Sequence, residues 1–335
     1  MDKIAVLGAG GWGIAISNLL HQNGHEVALW EFFEADCRRL AEMRERPDKL
    51  PGIKIPVGIL ITSDIHLALA EAVGLALVVP SHVMRSTTKL VAKASTNKFD
   101  FIVHLAKGIE NNTLNRMSEV LLQELPDPYH NLVSCLSGPS HAEEVSRNIP
   151  TTVVAAAANI GIAELVQAAF ANDYFRVYTS TDMIGVELGG SLKNVIAIAA
   201  GILDGLGLGD NTIGALLTRG LAEMVRLGRR MGADPITFSG LSGIGDLITT
   251  CTSKHSRNRY VGEQLGRGRK LDEILASMNM VAEGVKTTKS AYDLARKYDV
   301  EMPITAEMHK ILFENKDPKI ALYDLMTRSP KPEVW

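Results

Sequence analysis

Short apolar runs alternate with helical spacing through the first half of the chain. Lys3–Leu7 is an apolar run ending in glycines, Ile14–Gln22 carries helical spacing, and Glu26–Trp30 is a second run. Together they predict a strand–helix–strand unit. Further strand-like runs lie at Leu75–Val79, Phe101–Ala106, Leu132–Cys135 and Thr151–Ala156. Strands separated by helices predict an α/β domain built on a mostly parallel sheet covered on both faces.

Near Ser180 the pattern changes. From there to about residue 329 the chain reads as helices with glycine-rich joints and no strong alternating segment. The expectation is an α/β domain over residues 1–183 and an all-α domain over 184–335. The tail Ser329–Trp335, with two prolines, is expected to be extended and peripheral.

The most apolar stretch, Ile184–Leu208, carries Lys193 and Asn194 at its centre. A membrane span wants about 20 nearly uninterrupted apolar residues, and Glu187, Lys193, Asn194 and Asp204 interrupt this one. It predicts a buried helix. An unpaired buried ammonium is costly, so Lys193 needs a partner or a task, and desolvation would bring its pKa toward neutrality. Gly189 and Gly190, one turn earlier, leave a face without side chains, which is expected to make room for a ligand. Glu187 and Asn194 share a neighbouring stripe from which they could orient or neutralise the amine.

Composition narrows the class. The chain has 335 residues, 46% of them hydrophobic and 22% charged, the profile of a globular protein with a sizeable core. A net charge of −3 argues against non-specific binding to nucleic acid or to anionic membrane. Cys37, Cys135 and Cys251 are odd in number and lack metal-ligand spacing, which fits a reducing cytoplasm. The start, MDKIAVLGAG, is too short an apolar run for a signal peptide. His21 and His25 have the i,i+4 spacing of a metal pair, but Gly24 breaks the helix between them, so no metal is expected.

Gly8-Ala-Gly10-Gly11-Trp12-Gly13 directly follows the first predicted strand and opens the first helix. In that context the glycines fit a dinucleotide-binding, Rossmann-type turn. Gly8 permits the turn, Gly10 admits a pyrophosphate, and Gly13 lets helix and strand approach. Glu31 closes the second strand, where an acidic residue binds the ribose hydroxyls of NAD and repels the extra phosphate of NADP. Arg38 and Arg39 lie close by, so NAD is favoured over NADP only slightly. Trp12 is either a wall of the cofactor cleft or a core aromatic.

Other candidates follow strand ends and glycine joints. Lys107 ends the run Phe101–Ala106, at the rim where parallel sheets hold ligands, or is a solvated lysine there. Ser137-Gly138-Pro139-Ser140-His141-Ala142 suits a ligand contact or a capped turn. Ser256-Arg257-Asn258 fits an oxyanion or phosphate receptor at a helix start, or a solvated basic turn. Asp246 could bond Lys193 or cap a helix, and Val281–Gly284 could cover a cofactor or start a helix. Arg219, Glu223 and Arg226 form helical ladders, read as a solvated face.

Taken in order, GAGGWG at 8–13, VVPSH at 78–82, AKGIE at 106–110, SGPSHAEE at 137–144, FRVYTSTDMIGVELGGSLKNVIAIAAG at 175–201, TRGLAEM at 218–224, SGIGDLITTCTSKHSRNR at 242–259, VAEG at 281–284 and EMPIT at 301–305 form a specific set. To about residue 312 the chain resembles the bacterial NAD(P)-dependent glycerol-3-phosphate dehydrogenases. Trp12, where the family commonly has another aromatic or a small residue, and Glu31, at a commonly neutral position, depart from its pattern and bear on cofactor preference.

The resemblance implies a Rossmann domain followed by a helical domain, often as a homodimer, and supply of glycerol 3-phosphate for phospholipid synthesis. It implies hydride transfer between NAD or NADP and C2 of a phosphorylated three-carbon substrate, with Lys193 as proton donor and acceptor. Lys107, Gly138, Ser140, Asp246, Ser256, Arg257 and Asn258 would line the substrate. Gly11, Trp12, Lys107, Ala142, Arg257, Val281 and Glu283 would touch the cofactor. Two alternatives stand beside it: a β-hydroxyacid dehydrogenase whose Arg257 holds a carboxylate, and a nucleotide-sensing regulator without chemistry.

Overall fold

Alternation along the first strand builds two cores at once. In β1 (Lys3–Leu7), Ile4 and Val6 enter the core on one face of the sheet, while Ala5 and Leu7 enter that on the other. The computed structural model describes residues 2–95, 98–278 and 281–333. Its eight strands are β1, β2 (Glu26–Trp30), β3 (Leu60–Thr62), β4 (Ala72–Leu77), β5 (Phe101–His104), β6 (Val133–Ser137), β7 (Thr151–Ala157) and β8 (Phe175–Ser180). They form one sheet in the order β3-β2-β1-β4-β5-β6-β7-β8. All pairings are parallel except β6 with β7.

Helices α1 (Gly11–Gln22), α2 (Glu34–Met43), α3 (Ile65–Leu69), α4 (Met84–Ala94), α5 (Met117–Glu124), α6 (Ala142–Val145) and α7 (Ile160–Phe170) lie between the strands. Residues of α1 and α7 join one core, and residues of α3, α4 and α5 join the other. Sequence patterning missed β3 and β8. The first is only three residues long. The second alternates buried Phe175 and Val177 with exposed Arg176 and Tyr178, the period of an edge strand.

Beyond β8 the described chain is helical: α8 (Met183–Gly205), α9 (Asp210–Arg230), α10 (Asp246–Thr252), α11 (Arg257–Gly266), α12 (Leu271–Ala276), α13 (Glu283–Lys297), α14 (Pro303–Phe313) and α15 (Pro318–Met326). Every residue of α8 from Gly185 to Leu203 is buried. By length and apolarity α8 could cross a membrane, yet its apolar window is wholly covered by the rest of the protein. It is the axis of the third core, against which α9, α10, α11 and α13 pack. A Cβ at Gly201 would lie 1.9 Å from the Arg259 carbonyl oxygen, and one at Gly262 would lie 1.9 Å from that of Ile198. Helices α8 and α11 therefore meet backbone to backbone, which fixes Arg257 relative to Lys193.

The Arg219–Glu223–Arg226 ladder is corrected: Glu223 is 1% exposed, and its carboxylate accepts the Ile304 and Thr305 backbone N–H groups and the Thr305 hydroxyl. It fastens α9 to the start of α14. Tail residues 329–333 are exposed and irregular, and Val334 and Trp335 lie outside the described residues.

Candidate functional site

Lys193 is 6% exposed on α8 and has found its partners on α10. Its Nζ donates to Asp246 Oδ1 at 2.6 Å and to the Thr250 hydroxyl. Asp246 opens α10 one helical turn before Thr250, so both face the amine. The other carboxylate oxygen, Oδ2, accepts from Lys107 Nζ at 2.7 Å, and Lys107 also donates to the Gly138 carbonyl at 2.7 Å. One carboxylate thus bridges two ammonium groups, one from each half of the chain. Asp246 is a partner of the lysines; its side chain caps no helix.

Burial pushes Lys193 down to about 8, with Asp246 opposing that shift and Lys107 adding to it. Burial alone would raise Asp246, but Lys107 and Lys193 outweigh it and hold the carboxyl below its ordinary value. Two cations against one anion leave the cluster net positive, which suits an anionic ligand or a developing alkoxide.

Two expectations about Lys193 are corrected. The Gly189–Gly190 face holds no ligand space: a Cβ on Gly189 would lie 2.4 Å from the Ser242 carbonyl oxygen, and one on Gly190 would lie 2.5 Å from Ser137 Oγ. Those glycines let α8 press against the turn before α10 and the end of β6. Nor does Glu187 neutralise the amine. It accepts from Ser118 N at 2.7 Å and from the Arg116 guanidinium, and pairs with His104 Nε2 at 3.0 Å, tying α8 to β5 and α5. Asn194 likewise serves the frame, donating to the Lys107 carbonyl at 3.1 Å and accepting from Asn258 at 2.9 Å.

The Ser256-Arg257-Asn258 segment divides its work. Ser256 is the N-cap of α11 through Arg259 N at 3.2 Å. Asn258 is buried, and its amide spans Asn194 and Gly284 N, so its side chain is not a free phosphate ligand. Arg257 is exposed at the helix start, donating to the Val281 carbonyl at 3.1 Å. In the first half, Gly138 has φ +139° and a Cβ there would lie 2.9 Å from Val153 Cα. Ser140 closes that turn onto the Gly138 carbonyl at 2.9 Å, and Ala142 starts α6. Glu283 begins α13 and reaches back to Ser81 after β4, accepting from its N–H at 3.1 Å and its hydroxyl at 2.5 Å. Val281 beside it is 38% exposed.

The glycine turn fits a dinucleotide. Gly8 has φ +114°, and a Cβ on Gly13 would lie 1.7 Å from the Gly8 carbonyl oxygen. Nothing lies within 4 Å of a Cβ built on Gly10, and no side chain caps the α1 N-terminus there. The result is an open cradle at a helix N-terminus, suited to a pyrophosphate. Trp12 is partly buried against the sheet core. Glu31 departs from expectation: it is 7% exposed, bonded to Arg46 at 2.5 Å, and accepts from Phe33 N at 3.3 Å. Arg46 also donates to the Ala9 carbonyl at 2.8 Å and to Asp36 at 2.8 Å. Arg46 is shared between Glu31 and Asp36, so Glu31 does not wait free for a ribose, while the group as a whole keeps a negative charge near the end of β2.

Sequence reading missed Thr250, Arg46 and Ser81. Spacing could have found Thr250, four residues after Asp246 on one helix. Ser81 lies in the VVPSH segment, but nothing local announced its partner Glu283, and nothing announced Arg46. Among the described residues no group of three or more His, Cys, Asp or Glu side chains could hold a metal.

A nucleotide cradle at the rim of a parallel sheet, joined to a helical unit that carries a buried, acid-paired lysine, defines a two-part nicotinamide-dependent oxidoreductase. Residues 3–163 match the N-terminal family of NAD-dependent glycerol-3-phosphate dehydrogenase, and residues 182–323 match its C-terminal family. A glycerol-3-phosphate dehydrogenase [NAD(P)+] of Prosthecochloris aestuarii is 51% identical over 331 residues, covering 99% of each chain. One from Bacillus velezensis is 50% identical over 334 residues, 100% of this chain and 96% of that protein. The crystal structure of the Coxiella burnetii glycerol-3-phosphate dehydrogenase superposes with a TM-score of 0.93 at 36% identity, covering 98% of this chain and 99% of that one. This chain belongs to the NAD-dependent glycerol-3-phosphate dehydrogenase family. The hydroxyacid-dehydrogenase and sensor alternatives give way to it.

Proposed function

We propose that the protein interconverts sn-glycerol 3-phosphate and dihydroxyacetone phosphate with NAD or NADP, using Lys193 to move the proton. The bridge Lys193–Asp246–Lys107 carries this reading. An ammonium has three N–H donors; among the described residues Lys193 spends one on Asp246 and one on Thr250, leaving one for the oxygen on C2.

When bound, the nicotinamide supplies a hydride to C2 of the ketone or takes one from the alcohol. Gly8, Gly10, Gly11 and Gly13 would hold the dinucleotide by its pyrophosphate, and Trp12, Ala142, Val281 and Glu283 border that cleft. In the reducing direction Lys193 donates its proton to the C2 oxygen, and its charge favours the alkoxide before transfer. In the oxidising direction the neutral amine takes the hydroxyl proton. Lys107, fixed by Asp246 and the Gly138 carbonyl, directs a second donor at the same oxygen. Arg257 and the α11 N-terminus receive the phosphate, whose binding energy orients the carbonyl.

A cytoplasmic homodimer supplying glycerol 3-phosphate to phospholipid synthesis completes the proposal; three unpaired, buried cysteines support a reducing compartment. The test is loss of reduced-nicotinamide absorbance with dihydroxyacetone phosphate. Turnover is expected, and turnover with 2- or 3-hydroxy acids instead would overturn the substrate assignment.

A further inference from the structure

His141 is a polar group inside the cleft that nothing above employs. It follows the Gly138–Ser140 turn and stands at the N-cap position of α6, yet its side chain caps nothing. Its Nε2 is buried and has no hydrogen-bond partner among the described residues. A buried ring nitrogen without a partner is costly to keep, and beside two lysines that await an anionic ligand it calls for one.

The ring's surroundings say which partner. His141 packs on His255 from the other half of the chain, with ring centroids 5.9 Å apart and planes tilted by 53°. His255 stands two residues before Arg257, in the loop that delivers the α11 N-terminus. The ring therefore stands where the two halves of the chain meet, near Lys193 and Lys107 and against the loop that leads into Arg257. Burial, Lys193 and Lys107 hold its pKa down at about 4, while Glu143 and Asp246 pull the other way. At neutral pH it is an uncharged imidazole. Such a ring can present one N–H to an anion without adding a third buried cation beside two lysines.

We infer that His141 donates its Nε2–H to the phosphate of the substrate, as a second anchor opposite Arg257. The inference rests on the assignment of Arg257 to that phosphate under the proposed function. The ring is a binding group: it moves no proton and only fixes the charged end from the sheet side while Arg257 holds it from the helical side.

The test compares dihydroxyacetone phosphate with unphosphorylated dihydroxyacetone, and uses inorganic phosphate as a competitive inhibitor, in the wild type, His141→Phe, His141→Gln and Arg257→Ala. Nucleotide affinity and melting temperature serve as folding controls. His141→Phe is expected to raise KM for the phosphorylated substrate and Ki for inorganic phosphate about tenfold each, as for a hydrogen bond to a charged group. Its loss in kcat/KM should be far larger for dihydroxyacetone phosphate than for dihydroxyacetone, which has no phosphate to hold. His141→Gln, which keeps a donor, should restore most of the loss. Unchanged constants in His141→Phe overturn the inference, as does an equal loss with both substrates or a loss that Gln does not restore. If Arg257→Ala also leaves the phosphate Ki unchanged, the phosphate assignment itself fails. If only the His141 variants are silent, the inference alone fails.

Discussion

Asp246 Oδ1 holds Lys193 Nζ at 2.6 Å in a setting where both side chains are almost wholly buried. The pair is not closed on itself, because Oδ2 of the same carboxylate holds Lys107 at 2.7 Å. Removing the middle group would leave two ammoniums facing each other. Asp246→Asn is therefore expected to destabilise the fold by about 3–5 kcal/mol, the cost of breaking a buried pair, measured by urea unfolding. A loss below 1 kcal/mol would mean that water already relieves the site.

The acid–base role of Lys193 has a pH signature. With a pKa of about 8, its protonated form dominates at pH 7 and is lost as the pH rises through 8. The kcat/KM for ketone reduction should fall through that range, and that for alcohol oxidation should rise through it, since oxidation needs the neutral amine. Asp246 raises the Lys193 pKa, so Asp246→Asn should move both limbs to lower pH. Limbs that stay in place would show that the titrating group is another one.

Cofactor preference turns on Arg46. With Arg46 shared between Glu31 and Asp36, the wild type is expected to keep a small preference for NAD over NADP. Arg46→Ala uncovers the carboxylate at the end of β2, which should shift the kcat/KM ratio toward NAD by roughly tenfold through like-charge repulsion of the extra phosphate. A ratio that does not move would place the 2′ position away from Glu31.

Glu223 is a purely structural prediction. Its carboxylate satisfies two N–H groups at the start of α14, so Glu223→Ala should cost about 2 kcal/mol while leaving kcat within twofold. Thermal unfolding alongside steady-state rates checks both halves of that statement.

Much of this was legible in one dimension, for reasons that name its limits. The first strand–helix–strand unit and the buried character of α8 follow from local periodicity, because apolar spacing and the glycine turn are properties of neighbouring residues. Lys193 stood out because a charge in an apolar run is itself a local contradiction, and Asp246 was a candidate partner 53 positions away. What sequence could not supply was direction. Glu187 lies six residues from Lys193 but turns to β5 and α5, and Gly189 and Gly190 make room for a backbone where a ligand was expected. Glu223 read as one rung of a solvated ladder because its real partners, Ile304 and Thr305, lie 81 and 82 positions downstream. In each case the deciding contact is long-range, and only packing reveals it.

The central claim is that Lys193 carries the proton. Its most direct test is kcat for dihydroxyacetone phosphate reduction by Lys193→Ala, at saturating cofactor, with nucleotide affinity measured in parallel. A fall of about 10²–10⁴-fold with nucleotide affinity unchanged is the predicted result. A kcat within tenfold of the wild type would contradict it.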